Sequence, residues 1–179
     1  MELGLIILLS YLMGSIPFGC MLTTIFWKKD IREIGSGKIG ATNVLRTINT
    51  MICYITLNLD ILKAIVTLLI IKYNFPEFIF LSALSIFLGH VFPLWLKFKG
   101  GKGVATYVGI LFCINYILGF VFIFSWFIIF IIFRYSSLSS LIGSLAIAIY
   151  HYYIIDNHNY YFFILLFILI FYTIRDNVN

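Results

Sequence analysis

The chain has 179 residues, 63% of them hydrophobic, 19% aromatic and only 11% charged, with a formal net charge of +5. Ordinary soluble domains carry about 25% charged residues, so this composition excludes a water-soluble core and implies an all-α integral membrane protein. At about 20 residues per hydrocarbon crossing there is room for five to seven helices and no extramembrane domain, so residues 1–179 are expected to form a single polytopic membrane domain.

The first apolar run extends from Leu3 to Trp27. Before it, Met1 and Glu2 offer neither a basic n-region nor a small-residue cleavage site, so the run is expected to stay as a helix. The loop after it carries Lys28, Lys29, Arg32, Lys38 and Arg46, and within it Gly35, Ser36, Gly37, Lys38, Ile39, Gly40, Ala41, Thr42 and Asn43 follow in sequence. Three glycines interleaved with Ser, Thr and Asn let backbone amides and short hydroxyls approach one oxyanion. Arg46 adds a planar, permanently charged fork. A flexible basic turn is the competing reading, and the Walker spacing is absent.

The second run, Met51 to Tyr73, contains Asp60 and Lys63 three residues apart on one helical face, where a structural ion pair is expected. A third, Phe78 to Leu96, ends near Gly89 and His90. The loop beyond it reads Lys97, Phe98, Lys99, Gly100, Gly101, Lys102, Gly103, Val104, Ala105, Thr106. Lysines around three glycines at a helix start can turn amides, ammonium groups and the positive helix end toward one anion. Contact with anionic lipid headgroups would explain the lysines but not the glycines.

The fourth run, Val104 to Phe133, would make a helix of roughly 45 Å against a hydrocarbon core of roughly 30 Å. It either tilts or folds back near Asn115, Tyr116 and Gly119. Then come Arg134, a serine group at positions 136, 137, 139 and 140 expected to cap a helix or meet an anion, and the runs Leu138 to Ile155 and Tyr160 to Ile174. His151 and His158 read as interfacial residues. Cys20, Cys53 and Cys113 are isolated in apolar runs and read as packing residues, with no disulfide framework or metal site. Because Lys and Arg favour the cytoplasmic side, a fold-back in the fourth run gives seven transmembrane helices with the N-terminus outside and the C-terminus cytoplasmic; a single span there gives six.

Gly14, Ser15, Ile16, Pro17, Phe18 and Gly19, followed by the Gly35 to Arg46 and Gly89 to Thr106 runs, resemble the bacterial acyl-phosphate:glycerol-3-phosphate acyltransferase family (PlsY) in order, spacing and span context. The resemblance implies seven helices in the bacterial inner membrane and a cytoplasmic active site. It implies acyl transfer from acyl phosphate to the 1-hydroxyl of glycerol 3-phosphate, giving lysophosphatidic acid and phosphate. It further implies catalytic roles for Ser36, Asn43, Arg46, His90 and Asn177. Phosphate binding would fall to Ser36, Thr42, Arg46, Lys97, Gly100, Gly101, Lys102, Gly103 and Ser140. Near the C-terminus Asn177 matches the family pattern, whereas Ile174 stands where a histidine is usual. The expected partners are the two substrates and membrane lipid, not nucleic acid, and neither a cofactor nor a metal is expected. A transporter of a phosphorylated metabolite and a partner-recruiting membrane protein remain as alternatives; the first would normally show an internal repeat.

Overall fold

The computed structural model describes residues 2–155 and 159–175, and every regular element among them is helical. The helices are α1 (Glu2–Gly14), α2 (Phe18–Trp27), α3 (Ala41–Thr47), α4 (Thr50–Asn74), α5 (Ile79–Val91), α6 (Val104–Ile114), α7 (Tyr116–Phe133), α8 (Ser136–Tyr150) and α9 (Tyr160–Arg175). Among the described residues four segments are long and apolar enough to cross a bilayer: Glu2–Trp27, Thr50–Asn74, Pro76–Leu96 and Tyr116–Phe133. The chain divides into two compact units, Met1–Ile110 and Leu111–Asn179.

The first apolar run is not one helix. It breaks between α1 and α2 at Ser15, Ile16 and Pro17. Pro17 has no N–H to continue the ladder, and its ring disfavours helical geometry at Ile16, so the carbonyls of this stretch are released from helical bonding. The fourth run does divide in two, at Asn115, whose side chain accepts the Ile117 N–H at 2.9 Å and caps α7. The halves are unequal. α6 has 11 residues and so reaches only about 16 Å, half the hydrocarbon thickness, whereas α7 has 18.

In the first unit α1 crosses α5 closely. Ser10 Oγ and Ser82 Oγ meet at 2.7 Å, the Tyr11 hydroxyl donates to the Phe92 carbonyl at 2.7 Å, and a Cβ at Gly89 would lie 2.2 Å from the Tyr11 carbonyl oxygen. Buried serine pairs of this kind satisfy in lipid what water would satisfy elsewhere. Ile31, Ile39, Val44, Ile52, Cys53 and Leu96 form a small apolar core that ties the first loop to the start of α4 and to the second loop.

In the second unit, the Phe112 and Phe120 rings meet edge to face at 5.3 Å across the Asn115 break. The serine group does not cap α8. Its N-cap position is Tyr135, without a side-chain bond, and Ser139 and Ser140 instead donate to the carbonyls of Tyr135 and Ser136 one turn earlier. His151, expected at the interface, is buried with its ring 4.6 Å from that of Phe163. His158 lies outside the described residues. Cys53 and Cys113 are buried and Cys20 half-buried, as packing residues would be.

Candidate active site

The first loop is organised by one side chain. Asn43, in the first turn of α3 and buried, donates through Nδ2 to the carbonyls of Lys38 (2.9 Å), Ile34 (3.0 Å) and Ile31 (3.3 Å), and accepts the Ser36 N–H on Oδ1 at 3.0 Å. Those bonds use the amide's donors and engage its acceptor. Asn43 thus holds the loop's shape, with its amide engaged inside the loop. What it presents is an exposed Ser36, an exposed Thr42 and an exposed Arg46, with Lys38 half-buried beside them.

The second loop is pinned to the C-terminal end of α5. The Gly100 N–H donates to the Val91 carbonyl at 3.0 Å and the Gly101 N–H to the His90 carbonyl at 3.2 Å. A Cβ at Gly100 would lie 2.2 Å from the His90 carbonyl oxygen, and one at Gly101 would lie 2.3 Å from His90 Nε2. Gly103 has φ +81° and packs on the Phe87 ring. These glycines are thus needed for close approach and for a left-handed turn. The amides of Gly100 and Gly101 bond to carbonyls of α5.

Two residues of this loop carry positive φ without being glycine, Lys97 (52°) and Phe98 (62°), and both are exposed. Lys102 is different. It is half-buried, and burial together with the charges of Arg46 and then Lys38 holds its pKa below the usual lysine range. That mutual repulsion puts Lys38, Arg46 and Lys102, from two loops far apart in sequence, within one another's electrostatic reach. An anion placed there would relieve the repulsion.

His90 sits beneath the second loop, 3% exposed. Its Nδ1 lies 3.0 Å from Lys63 Nζ, and Lys63 forms the expected ion pair with Asp60 at 2.8 Å. Sequence reasoning found the ion pair but neither its contact with His90 nor the place of Lys38 in the basic cluster. Both join residues far apart in sequence, and only the density of lysine in the glycine loops hints at the second.

Ser140 and Asn177 are the two remaining expected residues. Ser140, in the second unit, is buried and donates to the Ser136 carbonyl while accepting the Trp126 indole N–H at 3.1 Å. Asn177 lies outside the described residues. Among the described residues no group of three or more His, Cys, Asp or Glu is placed to hold a metal ion.

An all-helical membrane protein that gathers Lys38, Arg46 and Lys102 at its glycine loops is a membrane protein equipped for an anionic ligand. The description Glycerol-3-phosphate acyltransferase belongs to the family whose sequence model matches residues 4–179. A glycerol-3-phosphate acyltransferase of Pelagibacter ubique (strain HTCC1062) is 62% identical over 178 residues, covering 99% of this chain and 93% of its own. One from Bartonella henselae (strain ATCC 49882 / DSM 28221 / CCUG 30454 / Houston 1) is 51% identical over 151 residues, covering 82% of this chain and 72% of its own. The crystal structure of PlsY (YgiH), an integral membrane glycerol 3-phosphate acyltransferase, in its glycerol 3-phosphate form matches with a TM-score of 0.93 at 31% identity, over 100% of this chain and 91% of that one. Its lysophosphatidic acid form matches with a TM-score of 0.89 at 30% identity, with the same coverage. The chain belongs to the glycerol-3-phosphate acyltransferase family. It is an acyltransferase of membranes and of phospholipid synthesis, which decides against the transporter and partner-recruiting readings.

Proposed function

We propose that the protein transfers a fatty acyl group from acyl phosphate to the 1-hydroxyl of glycerol 3-phosphate, yielding lysophosphatidic acid and inorganic phosphate, at the cytoplasmic face of a bacterial inner membrane. The observation that carries this reading is the convergence of Lys38, Arg46 and Lys102. Both substrates bring phosphate, and the donor's tail is apolar. A cationic site on an apolar scaffold suits that pair.

In this scheme Arg46 and Lys102 hold phosphate oxygens, Ser36 and Thr42 offer hydroxyls from the first loop, and Lys97 and Gly103 flank the second. The hydroxyl oxygen attacks the acyl carbon, forming the ester bond. The bond from that carbon to the phosphate oxygen breaks, and phosphate leaves with the electron pair. The hydroxyl proton passes to an oxygen of the departing phosphate. Acyl phosphate is already an activated mixed anhydride, so orientation and charge stabilisation supply the rate and no acyl-enzyme is required. The chain works as one polytopic domain of seven spans with the C-terminus inside, a topology supported by Lys28, Lys29, Arg32, Lys38 and Arg46 in the first loop and Lys97, Lys99 and Lys102 in the second.

The test uses the purified protein in detergent or lipid, with phosphate release from acyl phosphate measured with and without glycerol 3-phosphate. Release that depends on glycerol 3-phosphate and is matched by lysophosphatidic acid formed is expected. Equal release in both arms would overturn the proposal.

A further inference from the structure

Asp60, Lys63 and His90 form a buried polar cluster that the phosphate chemistry above leaves unused. The side chains of Asp60 and Lys63 are 3% and 2% exposed and that of His90 3%. An ammonium has three N–H donors and no acceptor. Lys63 Nζ donates to the Ile16 carbonyl at 2.9 Å, meets His90 Nδ1 at 3.0 Å, and pairs by charge with the Asp60 carboxylate at 2.8 Å. The Ile16 carbonyl is available because Pro17 interrupts the first run there.

Asp60 Oδ1 stands 3.6 Å from His90 Nδ1, beyond hydrogen-bond reach. The ammonium is therefore the partner of Nδ1, and Nδ1 accepts. A neutral imidazole that accepts at Nδ1 carries its proton on Nε2. Charge balance points the same way: one carboxylate and one ammonium cancel, whereas an imidazolium would leave a net positive charge buried among helices. Nε2 faces the backbone of Gly101, where a Cβ would come within 2.3 Å of it.

We propose that Asp60 and Lys63 are positioning residues for the acyltransferase site: they hold His90 as the neutral Nε2–H tautomer, with that N–H turned to the Gly100–Gly103 segment as a hydrogen-bond donor. The proposal rests on the reading of that segment as part of the acyltransferase site. It gives His90 a definite character. With Nδ1 engaged by Lys63 and Nε2 already protonated, the imidazole has no open lone pair, so it does not take the glycerol hydroxyl proton. A donor that orders the loop or meets substrate through it is the role left.

The experiment uses the full chain, labelled with ¹⁵N-histidine and reconstituted in lipid nanodiscs, and reads the imidazole nitrogens by NMR, with His90 assigned by the signals lost in His90→Gln. A protonated Nε2 and an unprotonated Nδ1 are expected. In the double variant D60N/K63M, which removes both charges together and so strands neither, His90 is expected to lose this fixed preference. An Nδ1–H tautomer or an imidazolium in the unmutated protein would overturn the proposal, as would a fixed Nε2–H tautomer that persists in the double variant.

Kinetics supply a second reading. Gln places an N–H near the position of Nε2, whereas Asn places one near Nδ1, where Lys63 already donates. His90→Gln is expected to retain about tenfold more kcat/KM than His90→Asn. Equal loss in the two, or better function in Asn, would count against the donor role. If the unmutated protein shows no glycerol 3-phosphate-dependent phosphate release, the acyltransferase reading fails by itself while the tautomer measurement still decides the Lys63 contact.

Discussion

Gly101→Ala isolates the close approach between the second loop and α5. Its backbone is outside the left-handed region, so alanine is allowed by conformation and the whole effect is steric. The new methyl carbon would lie 2.3 Å from His90 Nε2, well inside the 3.0 Å that real Cβ atoms essentially never breach, with the ring's carbons at 3.1 and 3.2 Å behind it. His90 cannot swing away, because Nδ1 is tied to Lys63 at 3.0 Å. The loop must move instead, stretching the 3.2 Å bond from the Gly101 N–H to the His90 carbonyl. Overpacking of this kind costs about 1 to 3 kcal/mol, and weakening one hydrogen bond adds roughly 0.5 to 1.5 kcal/mol. Displacing Lys102 by about an ångström costs on the order of 100-fold in rate. The assay is glycerol 3-phosphate-dependent phosphate release, run beside thermal unfolding in detergent. Gly40→Ala is the control: it sits in the other glycine loop, a Cβ there would meet nothing within 4 Å, and it should change either reading little. Normal kcat/KM and normal stability in Gly101→Ala would refute the reasoning about this contact.

Three further outcomes follow from the same geometry. Arg46→Ala and Lys102→Ala each remove a charge-assisted phosphate contact worth roughly 1.5 to 3 kcal/mol, so steady-state kinetics should show kcat/KM lower by about 10 to 150-fold. Burial and the charges of Arg46 and Lys38 lower the Lys102 pKa, so affinity for glycerol 3-phosphate should fall as pH rises through that lowered value; in Lys38→Met the fall should move to higher pH in a KM–pH profile. For stability the sign is opposite: the charged form is disfavoured in the fold, so this group's contribution rises with pH between its folded and unfolded pKa values. Asn43→Ala strands the carbonyls of Ile34 and Lys38 and the Ser36 N–H, and should destabilise the protein by about 2 to 4 kcal/mol in a denaturation titration, with a raised KM.

Much of the fold could be read from composition and charge because lipid imposes one secondary structure on an apolar chain. The division of the Val104 to Phe133 run was legible because Asn115 is a ready helix cap and the undivided run was too long. The break in the Leu3 to Trp27 run is harder to read, since 25 continuous uncharged residues suit one crossing and a single proline can sit in a kinked span. In the site, residue type identified the two loops but not what each atom does. The partners of Asn43 at Ile31, Ile34 and Lys38 show only in the structure, as do those of the Gly100 and Gly101 amides at Val91 and His90. Local sequence could not reveal these, because each depends on where the chain returns after a turn or a span.

The pairing of Asp60 with Lys63 within a single helix also bears on how the protein enters the membrane. Each charge alone carries a penalty of about 2.5 to 3.5 kcal/mol for translocon-mediated insertion at mid-bilayer. Three residues apart on α4, the two can neutralise each other before any neighbouring helix has arrived, so the segment can partition into lipid as a neutral unit. The bonds from Lys63 to Ile16 and His90 belong to a later stage of assembly, when separately inserted helices meet. The same lysine thus serves first as an insertion partner and only afterwards as a joint between segments.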